Sequence, residues 1–356
     1  MNMLDDKNIL ITGGTGSLGK TLVARILAGD GGTPRKLVIL SRDEGKQHDM
    51  RLLFMKRREQ TDEIIYHNFR RTLEFRIGDV RSYADVASAM RDADIVINAA
   101  ALKQVPTCEY FPDQAVLTNC IGAQNIVRAV SEGLARPEIV VGVSTDKACK
   151  PVNVMGMSKA IQERIFVAGN ILAGGTRFIC VRYGNVLASR GSVIPLFHEQ
   201  IRDGGPITIT MPDMTRFLLS LNQAVDTVFH ALSHALPGEI IVPNAPSATV
   251  IDIATALIGG RSIETKVVGI RPGEKMHEIM VSEEECTHTV RRGDYYAILP
   301  MLPELRNAEE AQKPMIGKEF SSADNVMLAG ETRDLLTRNK LMVEDRDFSD
   351  TAELLR

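Results

Sequence analysis

No apolar run in the 356 residues approaches the ~20 that a membrane span needs, so no transmembrane helix is expected. Charge of one sign is not in excess. The net charge is −3, which points to neither a nucleic-acid nor a membrane-surface partner. Only five cysteines occur, Cys108, Cys120, Cys149, Cys180 and Cys286, scattered and without metal-ligand spacing. They read as reduced thiols of a cytoplasmic protein. His48, His198 and His277 also lack such spacing, so no metal site is expected. Met1 to Lys7 is acidic and leads straight into a strand, so no signal peptide is expected. There is no internal repeat and no low-complexity tract.

What is present is ordinary for a globular chain: 44% hydrophobic and 24% charged residues. The length suffices for a substantial core and two lobes. Short apolar runs at Lys7–Thr12, Lys36–Leu40, Leu73–Ile77, Asp94–Ala99, Glu138–Val143 and Arg177–Arg182 alternate with helical patterns. Those helical patterns include Leu18–Leu27, Tyr83–Arg91 and Gln114–Glu132. This alternation predicts an α/β fold with a doubly wound parallel sheet. After Tyr183 glycine and proline break the pattern into short segments. We divide the chain into a dinucleotide-binding domain (1–183), a smaller substrate lobe (mainly 184–299) and an arm (300–356). Helices near Asn222–Leu236 and Thr249–Ile258 are expected, parts of 222–260 returning to the first domain. The arm is expected to pack on the body or on a neighbouring subunit.

Gly13, Gly16 and Gly19 lie between the first strand and the first helix, at the N-terminus of the chain. Glycines there allow positive φ and a close approach to a pyrophosphate, which the helix N-terminus then binds. Beyond the second strand come Ser41, Arg42, Asp43, Glu44 and Lys46. An acidic residue at that place favours NAD, while an arginine suits the 2′-phosphate of NADP. Arg42 comes first and Lys46 follows, so NADP is preferred, with NAD the alternative. Asp79 and Val80 would lie near the adenine. Ala99, Ala100 and Ala101 offer small side chains against the cofactor.

Asp146 and Lys147 follow the fifth strand, where a doubly wound sheet presents its ligands. Ser144 and Thr145 add hydroxyls. Met155 and Lys159, four apart, share one helix face. A lysine there can hold a nicotinamide ribose. Asp146 serves as an acid only if its pKa rises, and Lys147 as a base only if its pKa falls. Their adjacency opposes both shifts.

With these motifs the chain resembles the extended short-chain dehydrogenases/reductases, in their polysaccharide-biosynthesis branch of UDP-sugar 4,6-dehydratases. The resemblance rests on Thr12–Gly19, Ala99–Pro106, Thr118-Asn119, Ser144–Lys159, Arg182–Val186, Ser189–Pro195, Met214–Phe217, Arg271–Lys275 and Ser321–Asn325. Most of that branch carries a tyrosine where Met155 stands. A capsular subgroup has methionine there and the Leu-Lys-Gln-Val-Pro block of residues 102–106. It converts UDP-GlcNAc to a 4-keto-6-deoxy sugar and inverts C5.

The resemblance implies cofactor contacts from Gly13, Thr15, Gly16, Ser17, Leu18, Gly19, Lys103, Asn119 and Lys159. It implies substrate contacts from Lys103, Arg182, Asn185, Arg190, Val193, Arg216, Arg271 and Glu274. Arginine suits a diphosphate through paired donors, or closes a lobe interface by salt bridges. The implied catalytic set is Thr145, Asp146, Lys147, Met155 and Lys159. In the implied reaction C4 loses a hydride and O4 a proton. Lys147 takes the C5 proton, Asp146 protonates the departing C6 hydroxyl, and hydride returns to C6. Lys159, Lys147 or a relay could take the O4 proton. A homo-oligomer, a hexamer, is implied too. Two other readings stay open: an epimerase that returns hydride to C4, and a non-catalytic NADP-binding regulator, for which Met155 speaks.

Overall fold

A computed structural model describes residues 2–56, 63–187, 192–306 and 315–345. The strands in chain order are β1 (Asn8–Thr12), β2 (Lys36–Ser41), β3 (Leu73–Ile77), β4 (Ile95–Asn98), β5 (Ile139–Thr145), β6 (Arg177–Tyr183), β7 (Asn185–Val186) and β8 (Ile207–Ile209). They continue as β9 (Thr215–Leu219), β10 (Ile240–Pro243), β11 (Ser247–Thr249), β12 (Thr265–Val267), β13 (Ile279–Val281), β14 (Thr289–Arg292), β15 (Tyr295–Ile298) and β16 (Phe320–Ser321). A nine-stranded sheet has the order β14-β15-β10-β6-β5-β4-β1-β2-β3. It is parallel from β3 to β10, and β15 and β14 add an antiparallel edge. This is the dinucleotide-binding order 3-2-1-4-5-6 of a doubly wound sheet. The strands are apolar almost throughout because helices cover both faces; Ile9, Leu10 and Ile11 are all buried.

The main sheet takes in more of the C-terminal half than the sequence boundaries imply. Leu221–His234 packs on the first helix, Ser17–Leu27, and β10 joins β6. The β14–β15 hairpin, inside the expected lobe, extends the same sheet. Val250–Ile258, however, stays in the lobe, in a second apolar core with Ile194, Phe197 and Leu336. The described part of the arm packs on its own body. There β16 pairs with β13, and helix Ala329–Arg338 lies on Val250–Ile258.

The expected helix from Gln114 to Glu132 is interrupted. Pro112–Ala115 leads into a π-helical turn, Val116–Ile121, and then into Gly122–Ser131. The wider turn carries Asn119, whose side chain accepts from Leu102 N and donates to Leu102 O and Ser158 Oγ. Among the described residues no helix is long and apolar enough to cross a membrane.

Candidate functional site

A cleft of about 1070 Å³ opens at the carboxyl ends of the parallel strands and runs down against the substrate lobe. One end lies where β1 and β4 diverge, the switch point at which such sheets bind ligands. Gly13 has φ +67°, and a Cβ there would lie 2.7 Å from Ala100 Cα. The loop therefore passes so close to the Ala99–Ala101 backbone that only glycine fits. Thr12 donates to Asn98 Oδ1 at 2.6 Å and ties the two strand ends together. Thr15 and Ser41 hydroxyls meet at 3.1 Å. Gly13, Thr15, Gly16, Ser17, Leu18, Gly19, Ser41, Asp79, Val80, Ala99, Ala100, Ala101 and Lys103 all line the cleft. A glycine cradle opening onto a helix N-terminus fits a dinucleotide pyrophosphate.

Arg42 and Lys46 line the same end. Lys46 is engaged by Asp43 at 2.7 Å. Asp79 is gripped by Arg81 at 2.6 Å, leaving Arg42 more remote at 3.8 Å and well exposed. Asn119 lies behind the wall, bonded to Leu102 and Ser158, so it shapes the cleft rather than touching a cofactor. That corrects its expected role.

At the other end β5 runs out into a single 3-10 turn, Asp146–Ala148. The N-terminus of helix Val154–Leu172 docks on that turn. Asn153 caps it by accepting from Gly156 N at 2.8 Å, and a Cβ on Gly156 would lie 2.2 Å from the Lys147 carbonyl. This contact brings Met155 and Lys159 beside Lys147 along the cleft. Met155 packs with Cys108 and Ala115 and carries no proton. Lys159 donates to Val143 O at 2.5 Å and to Gln162 Oε1 at 2.7 Å. Burial lowers its pKa to about 8.

The Lys147 ammonium meets three oxygens: Asp146 Oδ1 at 3.0 Å, Asn185 Oδ1 at 3.1 Å and Glu278 Oε1 at 3.3 Å. Two of its three N–H donors have hydrogen-bond acceptors, and Glu278 adds an ion pair. Burial works against its charge, but Asp146 and Glu278 outweigh burial and raise its pKa. A lysine base needs the opposite shift, so these contacts favour the charged form of Lys147. Asp146 is fully buried and stands one layer behind the cleft surface. Burial raises its pKa, with the Glu278 charge assisting and Lys147 opposing. Its Oδ1 accepts from Thr145 Oγ1 at 2.9 Å, and Oδ2 has no partner among the described residues. Glu278 goes the other way. Burial disfavours its charge, yet Lys147, Arg216 and Lys275 hold its pKa below the ordinary value. Two carboxyls in one cluster are thus pushed apart, which is how sites assign acid and base.

Glu278 was not legible in the sequence. Only the block Arg271–Lys275 marked that region, and 131 positions separate Glu278 from Lys147. Asn185, Val193, Arg216, Arg271 and Glu274 line the cleft. Arg216 donates to the Thr215 and Met276 carbonyls, which aims it along the wall. Arg182 does not reach the cleft. It is buried between Glu163 and Glu285, each at 2.7 Å, and donates to Met280 O, so its expected substrate role is corrected to a lobe-closing one. Arg190 lies outside the described residues.

The family model for polysaccharide biosynthesis proteins matches residues 9–300. A UDP-glucose 4-epimerase of Rickettsia akari (strain Hartford) is 44% identical over 301 residues, 83% of this chain and 84% of that protein. The X-ray structure of Pen from Bacillus thuringiensis superposes with a TM-score of 0.82 at 33% identity, over 94% of this chain and 99% of that one. A dTDP-glucose 4,6-dehydratase, DesIV from Streptomyces venezuelae with NAD and TYD bound, superposes at 0.63 with 20% identity, over 76% and 86% of the two chains. At that identity it speaks for the fold alone. The glycine cradle, the lysine four residues beyond Met155 and a family match across most of the length lead to one assignment: the chain belongs to the polysaccharide biosynthesis protein family, within the extended short-chain dehydrogenases/reductases.

Proposed function

We propose that the protein is a UDP-N-acetylglucosamine 4,6-dehydratase that also inverts C5 and works with bound NADP. The observation that carries this reading is the pair of carboxyls packed around Lys147, Asp146 at 3.0 Å and Glu278 at 3.3 Å: burial raises the pKa of Asp146, and the surrounding cations lower that of Glu278. Removing water across C5 and C6 needs an acid and a base together, whereas moving hydride off and back onto C4 needs neither carboxyl. The dinucleotide, when bound, supplies reversible hydride acceptance. Lys159 would hold its ribose, and the Gly13–Gly19 loop its pyrophosphate. In this reading the sugar loses hydride from C4 to the dinucleotide and a proton from O4 to Lys159, directly or through a hydroxyl relay. The resulting ketone acidifies C5, whose proton goes to a base of the cluster. Asp146, once protonated, would pass its proton through the Thr145 hydroxyl, which lies 2.9 Å from it, to the C6 oxygen, which leaves as water. The Lys147 cation steadies negative charge on O4. Hydride then returns to C6, and C5 is reprotonated from the opposite face.

Arg42 supports NADP over NAD, because it stands exposed at the end of β2 while the nearby carboxylates Asp43 and Asp79 are engaged by other cations. Arg216, Arg271 and Glu274 would meet the UDP part. A second reading, C4 epimerisation without elimination, draws on the activity named for the Rickettsia relatives. Proton NMR of UDP-GlcNAc incubated with enzyme and NADP in D₂O separates the two. Dehydration gives a new C6 methyl and deuterium at C5. Epimerisation gives UDP-GalNAc with C5 unlabelled, and that product would sink the dehydratase reading.

A further inference from the structure

The family match ends at residue 300, and the arm beyond it reaches back to the reactive end of the cleft. There Ser322 follows β16 and is fully buried. Its hydroxyl accepts from Glu278 N at 2.9 Å, and its own N donates to Glu278 O at 2.8 Å. The same hydroxyl meets Thr215 Oγ1 at 2.7 Å, and Thr215 Oγ1 meets His277 Nδ1 at 2.8 Å. One small side chain of the arm thus ties β9 to the segment that enters β13.

Both tied segments carry a charged side chain on the cleft wall, Arg216 beside Thr215 and Glu278 itself. Glu278 Oε1 stands 3.3 Å from the Lys147 ammonium. The charged groups around Lys147 are Asp146 from its own turn, Arg216 from β9 and Glu278. Lys275, bonded to Cys149 O at 2.6 Å, acts in turn on Glu278. Glu278 is buried, and its Oε2 has no hydrogen-bond partner among the described residues. Its carboxylate is therefore located chiefly by its backbone, and both backbone groups are held by Ser322. An alanine at 322 would leave the Glu278 N–H unpaired in a buried place, which either costs the full desolvation of that group or makes the segment move.

We propose that Ser322 is a positioning residue of the site: from the arm it holds Glu278 against Lys147 and so keeps the Lys147 ammonium paired at the reactive end of the cleft. It touches neither sugar nor cofactor and acts through Glu278. The inference deepens the dehydratase reading and rests on it only for the work assigned to Lys147. Glu278 raises the Lys147 pKa, and Arg216, a smaller influence, lowers it. Loosening both segments at once therefore makes Lys147 easier to deprotonate, because the larger of the two influences goes with the carboxylate.

The test reads Lys147 directly, in full-length protein with NADP. Acetic anhydride acetylates only the uncharged amine, so labelling of Lys147 from neutral to alkaline pH, followed by peptide mass spectrometry, reports its protonation. Glu278→Gln removes the charge and keeps the shape, and is expected to raise Lys147 labelling roughly 10-fold or more. Ser322→Ala is expected to raise it by at least ~3-fold, and to add nothing further in the Glu278→Gln background. Thermal unfolding and NADP titration establish that each variant is folded. Where Ser322→Ala does not fold, Thr215→Val, isosteric but lacking the hydroxyl that meets Ser322, is expected to move the labelling the same way. Labelling unchanged from wild type in folded Ser322→Ala, or in Thr215→Val in its place, overturns the proposal. An equal rise with and without the Glu278 charge also overturns it, since that marks a loosened cleft and not a lost ion pair. Labelling needs no turnover, so it decides the proposal whether or not UDP-GlcNAc is dehydrated. Failure of the dehydratase reading shows separately, as a missing C6 methyl in the wild type.

Discussion

Lys159 and Asp146 are both shifted by burial, and their consequences differ in sign. The Lys159 ammonium titrates near 8 in the folded chain, against ~10.4 for a free lysine. Between those values the unfolded chain binds more protons, so the Lys159 contribution makes folding more favourable as pH rises from about 8 towards ~10. In the proposed role its grip on a cofactor ribose would weaken over the lower part of the same range. We expect NADP affinity, followed by calorimetric titration, to fall as pH rises through about 8. The difference in unfolding temperature between wild type and Lys159→Met should change over the alkaline window; no change in either would refute the assignment. Asp146→Asn removes the acid but not the route to C4. Elimination should drop by roughly 10²–10⁴-fold while C4 oxidation persists, seen as reduced cofactor that is not reoxidised. The glycine loop and the Asp146-Lys147-to-Lys159 segment were legible in the chain because each lies within a few residues of a strand end. The protonation states were not, because they depend on Glu278 and on burial.

At the scale of elements, β6 shows where local pattern misleads. Arg182 sits at its end, beside residues that resemble a substrate motif, and an arginine there reads as a phosphate ligand. The strand is instead roofed by Glu163, from helix Val154–Leu172, and by Glu285, from the short helix Glu283–Cys286. Ser144, at the end of β5, donates to the same Glu163 at 2.6 Å. Arg182→Ala would strand two buried carboxylates, at a cost of about 3–5 kcal/mol. Urea unfolding should report that loss, while cofactor affinity of the folded fraction stays near the wild-type value. A large fall in substrate affinity without a stability change would restore the ligand role. The π-helical turn at Val116–Ile121 is a similar case: helical periodicity ran straight through it, and Asn119 bonding to Leu102 is a tertiary contact.

Over the whole molecule the arm joins chemistry to stability. Leu335, Leu336 and Leu341 are buried in the lobe core, and β16 pairs with the strand that follows Glu278. Each buried leucine contributes roughly 1.5–3 kcal/mol. A chain ending at residue 306 should therefore melt its lobe first, with NADP binding outlasting UDP-GlcNAc turnover in a thermal series. Simultaneous loss of both activities would mean that the two lobes unfold as one.

The sequence by itself determined the parallel sheet, the dinucleotide loop and the strand-end turn that bears Asp146 and Lys147. These depend on period, on backbone freedom at glycine and on neighbours a few residues away. Only the tertiary structure decided that Lys147 meets Asp146, Asn185 and Glu278, that Arg182 closes a lobe and that Glu278 comes to the cleft wall from the C-terminal third. Charge at such a site is set by groups more than a hundred positions apart and by how much water they lose, and neither is written in local pattern.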